Sequence, residues 1–407
     1  MRINSNPPLG LYIHLPWCEK KCPYCDFNSH QADTIPQQAY VDALLDDLAQ
    51  DLPLIWGRRI ESIFIGGGTP SLFSAESIDR LFSGLRSLVN FAPAIEITLE
   101  SNPGSADAAN YRGYREAGVN RLSIGVQSFD DEKLTALGRV HSSAQAEQAF
   151  ALARAAGFDN INLDLMFALP GQSLDDAHSD LARAIALAPE HLSHYQLTIE
   201  PNTLFHHRRP SDLPDDDHCW EQQQLCQDLL AAHGYRQYEV SAYCLDKRES
   251  RHNLNYWQFG DYLGIGAGAH GKITLGGENR VLRRVRQRQP HAYLEQSGHS
   301  RISSEVELDQ ADLCFEFMLN TLRLKHGFDT RLFHDNTGLS LNILLPTLKL
   351  ACDKGLLEFN GKRITPTELG FCHLNDLQEL FLQTRTTTKK PIFESSVKNY
   401  SQPGYDR

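Results

Sequence analysis

Two spacings of apolar residues alternate along the first half of the chain. Short segments of strand character, "LYIHLP", "SIFIGGG", "IEITLES", "RLSIGVQSF", "INLDLMFALP" and "LSHYQLTIEP", are one kind. Between them lie "QAYVDALLDDLAQDL", "AESIDRLFSGLRSLV", "AANYRGYREAG", "AQAEQAFALARAAG" and "LDDAHSDLARAIAL", whose apolar residues recur at helical spacing. A repeated strand and helix order predicts right-handed crossovers and a parallel sheet, either open and doubly wound or curved into a partial barrel. In both arrangements the loops at the C-terminal strand ends converge on one face, where a ligand sits. Those ends read "CEKKCPYC", "GGGTP", "ESNPG", "GVQSF" and "LDLMFALPGQ".

The second half is less regular. "RRPSDLPDDDH" has the proline and acidic content of a connector, after which the alternation lapses. From about Glu305 the spacing is helical, and "GLLEFNGKRITPTELG" reads as a hairpin wing followed by a helix. The expected organisation is a core domain over 1–240, a connecting segment over 241–300, a smaller helical, winged-helix-like domain over 301–383, and a mobile polar tail over 384–407.

Composition narrows the chemistry. The 407 residues are 41% apolar, enough for one large domain and an appendage. The opening "MRINSNPPLG" has no signal-peptide core, and no apolar run approaches the roughly 18 residues of a membrane span, so a cytoplasmic location is expected. A net charge of -12 disfavours nucleic acid as a partner, and the basic stretch "RVLRRVRQRQ" is too local to reverse that. Nine cysteines, an odd number, argue for free thiols and a metal or catalytic cluster over a disulfide framework.

Three of the nine, Cys18, Cys22 and Cys25, form a C-x-x-x-C-x-x-C run directly after the first strand. Three thiolates on one loop suit three irons of a [4Fe-4S] cubane and leave the fourth iron without a protein ligand. Structural zinc with His14 or His30 as fourth ligand is the competing expectation, but the distant second cysteine pair usual in such sites is missing.

"YIHLPWCEKKCPYCDFNSH", "IFIGGGTPSL", "NRLSIGVQSF" and "INLDLMFALPGQ" together resemble the radical S-adenosylmethionine superfamily, and within it the coproporphyrinogen III dehydrogenase-like branch, most closely its haem chaperones. The resemblance covers most of the chain. It implies an α/β fold with a partial (β/α)6 barrel, a [4Fe-4S] cluster on Cys18, Cys22 and Cys25, and S-adenosylmethionine on the fourth iron. It also implies cofactor contacts from Tyr12, Tyr24, Gly67, Gly68, Thr69, Glu100, Gln127, Arg139 and Asp164. The dehydrogenases of the branch carry a fourth cysteine two residues after the third, where this chain has Phe27, and a longer region before the first strand; this chain opens only about ten residues ahead of it.

"HNLNYW", from His252 to Trp257, resembles the motif of the chaperones. The resemblance makes His252 an axial haem ligand, with Tyr256 and Trp257 against the macrocycle and Lys247, Arg248 and Arg251 toward its propionates. From chemistry alone, the same histidine reads more readily as part of a buried aromatic cluster, and it is the resemblance that favours haem. "GAGAHG" at 266–271 fits a dinucleotide fingerprint, but strand and turn follow it instead of a helix; resemblance leaves His270 as a candidate at the cofactor's edge. His206 and His207 beside "DDDH" lack metal-ligand spacing and read as a polar loop. Two functions of different class remain. One is a haem chaperone that delivers haem to haemoproteins, including membrane-associated ones; the sequence leaves open whether it acts as a monomer or a homodimer. The other is a radical enzyme acting on a porphyrinogen, such as an oxygen-independent coproporphyrinogen III dehydrogenase.

Overall fold

The computed structural model describes residues 2–3 and 6–382; the expected tail over 384–407 lies outside the described residues. Six parallel strands, β1 (Leu9–Leu15), β2 (Arg59–Gly67), β3 (Asn90–Ser101), β4 (Arg121–Gln127), β5 (Ile161–Phe167) and β6 (His191–Gln196), pair in chain order. The crossovers carry α1 (Gln37–Asp51), α2 (Ala75–Leu88), α3 (Ala108–Ala117), α4 (Ser143–Ala155) and α5 (Leu174–Ala186). Serine capping boxes start two of these helices: the Ser142 and Ser173 hydroxyls each accept from the third backbone N–H, and the Gln145 and Asp176 side chains accept from the cap N–H in return. The proline-rich acidic connector ends as a helix cap, since Asp215 accepts from the His218 N–H at the start of α6 (Asp216–Ala232).

The sheet does not stop at six strands. Beyond β6 it takes two short antiparallel strands, β7 (Arg236–Glu239) and β8 (Ala242–Cys244). On the other side β9 (Asp261–Ile265) runs parallel to β1, with Leu9 opposite Asp261, and is followed by antiparallel β10 (His270–Leu275), β11 (Arg280–Arg286) and β12 (Ile302–Glu307). The segment 241–300, expected as a connection, therefore supplies strands to the main sheet, and α7 (Arg251–Trp257) lies within it. Its strands are short and glycine-interrupted, and the partner of β9 is the first strand of the chain, so local pattern does not show the pairing. The terminal strands β7 and β12 of this twelve-strand order do not pair with each other, leaving the barrel partial.

Alternation along β1 to β6 sorts the side chains. Leu9, Leu11, Ile13 and Leu15, with Ile63, Ile65, Ile97, Leu99, Leu122, Ile124 and Val126, pack against Leu44, Leu81 and Leu181 of the helices. The residues between them face the barrel interior and are mostly polar: Tyr12, His14, Glu96, Glu100, Arg121, Ser123, Asn162, Asp164, His191 and Tyr195.

The C-terminal unit has its own core around Phe317, Phe328 and Phe333, where α8 (Gln310–Thr321) meets a three-stranded sheet of Phe328–Asp329, Leu357–Phe359 and Arg363–Pro366. Ile3, Phe259 and Val281 enter the same cluster, so this unit is packed onto the sheet extension. Among the described residues no helix is long and apolar enough to cross a membrane.

Candidate functional site

The cysteine loop leaves the C-terminal end of β1 and is tied at both feet. Trp17 pairs with His30, Gly68 N donates to Leu15 O at 2.8 Å, and Thr69 N donates to Trp17 O at 2.7 Å. Cys18, Cys22 and Cys25 are free thiols close enough to act on one another electrostatically. Burial pushes the Cys18 and Cys25 thiols up, against hydrogen bonds from Thr69 and Ser29 to Cys18 and from Ser29 to Cys25. Arg139 supplies the counter-charge: its Nη1 donates to Cys22 Sγ at 3.7 Å, while Nη2 donates to Gly125 O at 2.8 Å. Its Nε is buried without a partner. Among the described residues no group of three His, Cys, Asp or Glu side chains is arranged around one metal ion. Three cysteines on one loop suit a cubane, which spreads its ligands over three irons. The histidines that would complete a zinc site are engaged: His14 as described next, and His30 with Asn28 Oδ1 at 3.3 Å.

His14 seats the loop from below. The Tyr12 hydroxyl donates to His14 Nδ1 at 2.8 Å, and His14 Nε2–H donates to Asn28 O at 2.8 Å. Burial lowers the imidazole to about 4, so it stays neutral and keeps that tautomer. Asn28 in turn donates from Nδ2 to Ala267 O and Arg288 O, both at 2.9 Å, which fastens the loop to the sheet extension. The "GAGAHG" segment earns its glycines here: Gly268 has φ +81, and a Cβ would stand 2.3 Å from Asn28 Nδ2.

The neighbouring strand ends complete one face. Gly67, at φ +119 with His14 only 2.7 Å from where a Cβ would be, donates its N–H to Glu100 Oε2 at 3.0 Å. That is the only hydrogen bond the Glu100 side chain makes among the described residues; burial, aided by the charge of Asp164, raises its carboxyl to about 8. Asp164 accepts from Ser123 at 3.1 Å and Asn162 at 2.8 Å, and burial raises it as well. Gln127, in the left-handed region at φ +69, accepts from the Tyr195 hydroxyl at 2.8 Å. Tyr24 packs on Phe205 beside Arg139. Tyr12, Cys18, Cys22, Cys25, Tyr24, Gly67, Gly68, Thr69, Glu100, Gln127, Arg139 and Asp164 thus share the mouth of the barrel. Asn28 and Tyr195 join them; Tyr195 was legible as the inward position of "LSHYQ", two residues past Ser193.

His252 lies elsewhere. Its ring touches Gly10, Ser62 and Phe64 on the early parts of β1 and β2, at the floor of the barrel. Ser62 Oγ meets Nδ1 at 2.9 Å and the Tyr256 hydroxyl meets Nε2 at 3.2 Å. The backbone N–H groups of Arg251 and His252 donate to Glu96 at 3.2 and 3.0 Å. At 1% exposure and with both ring nitrogens engaged, His252 has no position open to iron in this structure. Burial, helped by the Arg121 charge, lowers its imidazole to about 3. Trp257 faces Arg323 of the C-terminal side at 4.3 Å, and Arg251 donates to the Ala94 carbonyl, so neither is arranged around a macrocycle.

Residues 12–184 match the Radical SAM superfamily, and residues 308–373 match the HemN C-terminal domain. A protein of Escherichia coli named haem chaperone HemW is 48% identical over 377 residues, which is 92% of this chain and 98% of that protein. One of Haemophilus influenzae with the same name is 47% identical over 381 residues, with the same coverage. The chain belongs to the HemW family. HemW-family sequence extends to a Bacillus subtilis member at 36% identity over 91% of this chain. The fold agrees: the structure of coproporphyrinogen III oxidase (HemN) from Escherichia coli, described as a radical SAM enzyme, superimposes with a TM-score of 0.77 at 25% identity, covering 92% of this chain and 90% of that one. At the position where the dehydrogenases have a fourth cysteine, Phe27 is 63% exposed on the rim of the cysteine loop.

Proposed function

We propose that the chain is a haem chaperone of the cytoplasm: it binds a [4Fe-4S] cluster through Cys18, Cys22 and Cys25, holds S-adenosylmethionine at the barrel mouth, and binds haem for delivery to haemoproteins. The observation that carries this function is the near full-length identity of 47 and 48% to two proteins named haem chaperone HemW. The mouth supports the cofactor assignment. Glu100, with a single internal hydrogen bond from its side chain, suits an ammonium or ribose hydroxyls; Asp164 and Gln127 line the same space; and Gly67 and Gly68 let His14 and the Trp17 backbone pack directly against the strand end. When bound, the cluster and S-adenosylmethionine supply one-electron chemistry. Arg139 donates to Cys22 Sγ, and His14 fixes the loop that carries all three sulfurs.

The test is anaerobic reconstitution of the full chain with iron and sulfide, followed by titration with haem and transfer to apomyoglobin. Bound haem that moves to the acceptor is the expected result. Absence of haem binding overturns the function, and turnover of coproporphyrinogen III in a parallel assay replaces it with the dehydrogenase.

A further inference from the structure

The chain must offer haem iron a ligand if it carries haem, and the histidines of the barrel interior differ sharply in what they have left to offer. His14 is spent between Tyr12 and Asn28, His191 between Asn162 and Tyr238, and His252 between Ser62 and Tyr256. His270 is different. It opens β10 at the mouth end of the sheet extension, is exposed, and makes no side-chain hydrogen bond to any described residue.

Its surroundings suit a flat dianion. Alternation along β10 sends Ile273 into the main core and so puts His270 on the opposite face with Lys272, beside Tyr262 of β9, which pairs with Lys272. Tyr262 is half-buried and meets Tyr256 edge to face, the centroids 4.3 Å apart. These rings present an aromatic wall a short way along the strand from the imidazole. A neutral imidazole has a lone pair to donate to iron. Arg288 is exposed at the rim, where a propionate would lie in water-accessible reach. His270 also acts on His14, so the site adjoins the cysteine loop.

We propose that His270 is the protein ligand to haem iron, with the macrocycle reaching from the mouth end of β10 inward along β9 toward Tyr262, opposite Gly10, and Tyr256. The assignment rests on the haem-binding function proposed above. It gives the "HNLNYW" motif a changed part: Tyr256 contributes to the wall, and His252 holds Tyr256 in place from the floor.

The experiment is a titration of ferric haem into the full-length parent, His270→Ala, His270→Met and a His206→Ala, His207→Ala double variant, read by Soret absorption. His206 and His207 are included because they are exposed next to Arg208 and Arg209. His270→Ala is expected to weaken haem about tenfold or more and to shift the Soret band, with free imidazole restoring the parental spectrum. His270→Met should bind with a spectrum distinct from both. Iron and sulfide content should match the parent throughout, because the cysteines are untouched. An unchanged affinity and spectrum in His270→Ala overturns the assignment while leaving haem binding standing, and so does a loss confined to the double variant. Failure of the parent itself to bind haem removes the underlying function instead.

Discussion

The two ends of the barrel interior are built from the same residue types and differ in what those residues have left over. At the floor, Glu96 accepts two backbone N–H groups, His252 sits between Ser62 and Tyr256, and His191 sits between Asn162 and Tyr238. At the mouth, Glu100 has a single backbone donor, Arg139 has a buried Nε without a partner, and three cysteines of one loop are free of disulfides. A polar residue pointing inward therefore does not identify a site; unsatisfied capacity does, because burying an unpaired polar group costs free energy that a ligand can recover. Arg121 and Thr98 are exceptions at the floor: Thr98 Oγ1 is buried without a partner, and Arg121 is fully buried with no hydrogen bond from its side chain among the described residues, its charge offset by the nearby Asp164 carboxyl.

The largest expected effect is at the mouth. Replacing Cys18, Cys22 or Cys25 singly with Ser should abolish the visible absorption of the reconstituted protein and its four-iron complement, while the circular dichroism of the chain is retained. A variant that keeps four irons would show that another group at the mouth serves as ligand.

Glu100 sharpens the contrast through pH. Its folded value of about 8 lies above the ordinary 4.5, so the folded state holds the proton more tightly than the unfolded one. Stability without cofactor is then lost as pH rises through that window, by up to about 5 kcal/mol if Glu100 acts alone. Urea denaturation from about pH 5 to about pH 8 should show this fall in the parent and a flatter profile in Glu100→Gln. Parallel profiles would mean that the mouth, like the floor, satisfies its carboxyl internally.

Much of this was legible in the sequence. The alternation in "LYIHLP" and "IEITLES" shows which residues face the ligand side, and the cysteine spacing follows immediately after a strand end; the individual cofactor contacts were named from the resemblance to the radical S-adenosylmethionine superfamily. What was hidden depends on long-range pairing. Nothing local in "GDYLGIGAGAHG" shows that it lies against β1 and clamps Asn28, since glycine-rich strands carry no alternation and the partner is at the other end of the chain. The burial of His252 was hidden for a different reason: imidazole satisfies hydroxyls and iron equally well, and only the positions of Ser62 and Tyr256 decide between them.

The floor is tested by His252→Ala. Removing the ring leaves the Ser62 and Tyr256 hydroxyls without a partner and opens space beside Phe64, a combination expected to cost about 3 kcal/mol of stability. Urea denaturation reads that loss, and iron and sulfide content should not change. A folded variant of full stability that has lost haem would reverse the comparison, since the floor would then be the open end.

Phe27→Cys should have the smallest effect, although it restores the cysteine pattern of the dehydrogenases. The side chain is 63% exposed, and the residue meets its neighbours through its carbonyl, which accepts from Ser29 N at 2.7 Å and Lys21 Nζ at 3.2 Å. Both bonds survive any side-chain change, so stability should move by less than about 0.5 kcal/mol. The cluster should also be unaffected, because its three ligands and their supports from His14, Arg139 and Ser29 do not involve this side chain. Turnover of coproporphyrinogen III should stay absent, since one thiol on an exposed rim does not position a substrate within the sub-ångström tolerance that chemistry requires. Turnover gained by this single change would show that the mouth already holds a porphyrinogen in a productive pose, and that Phe27 alone separates chaperone from enzyme.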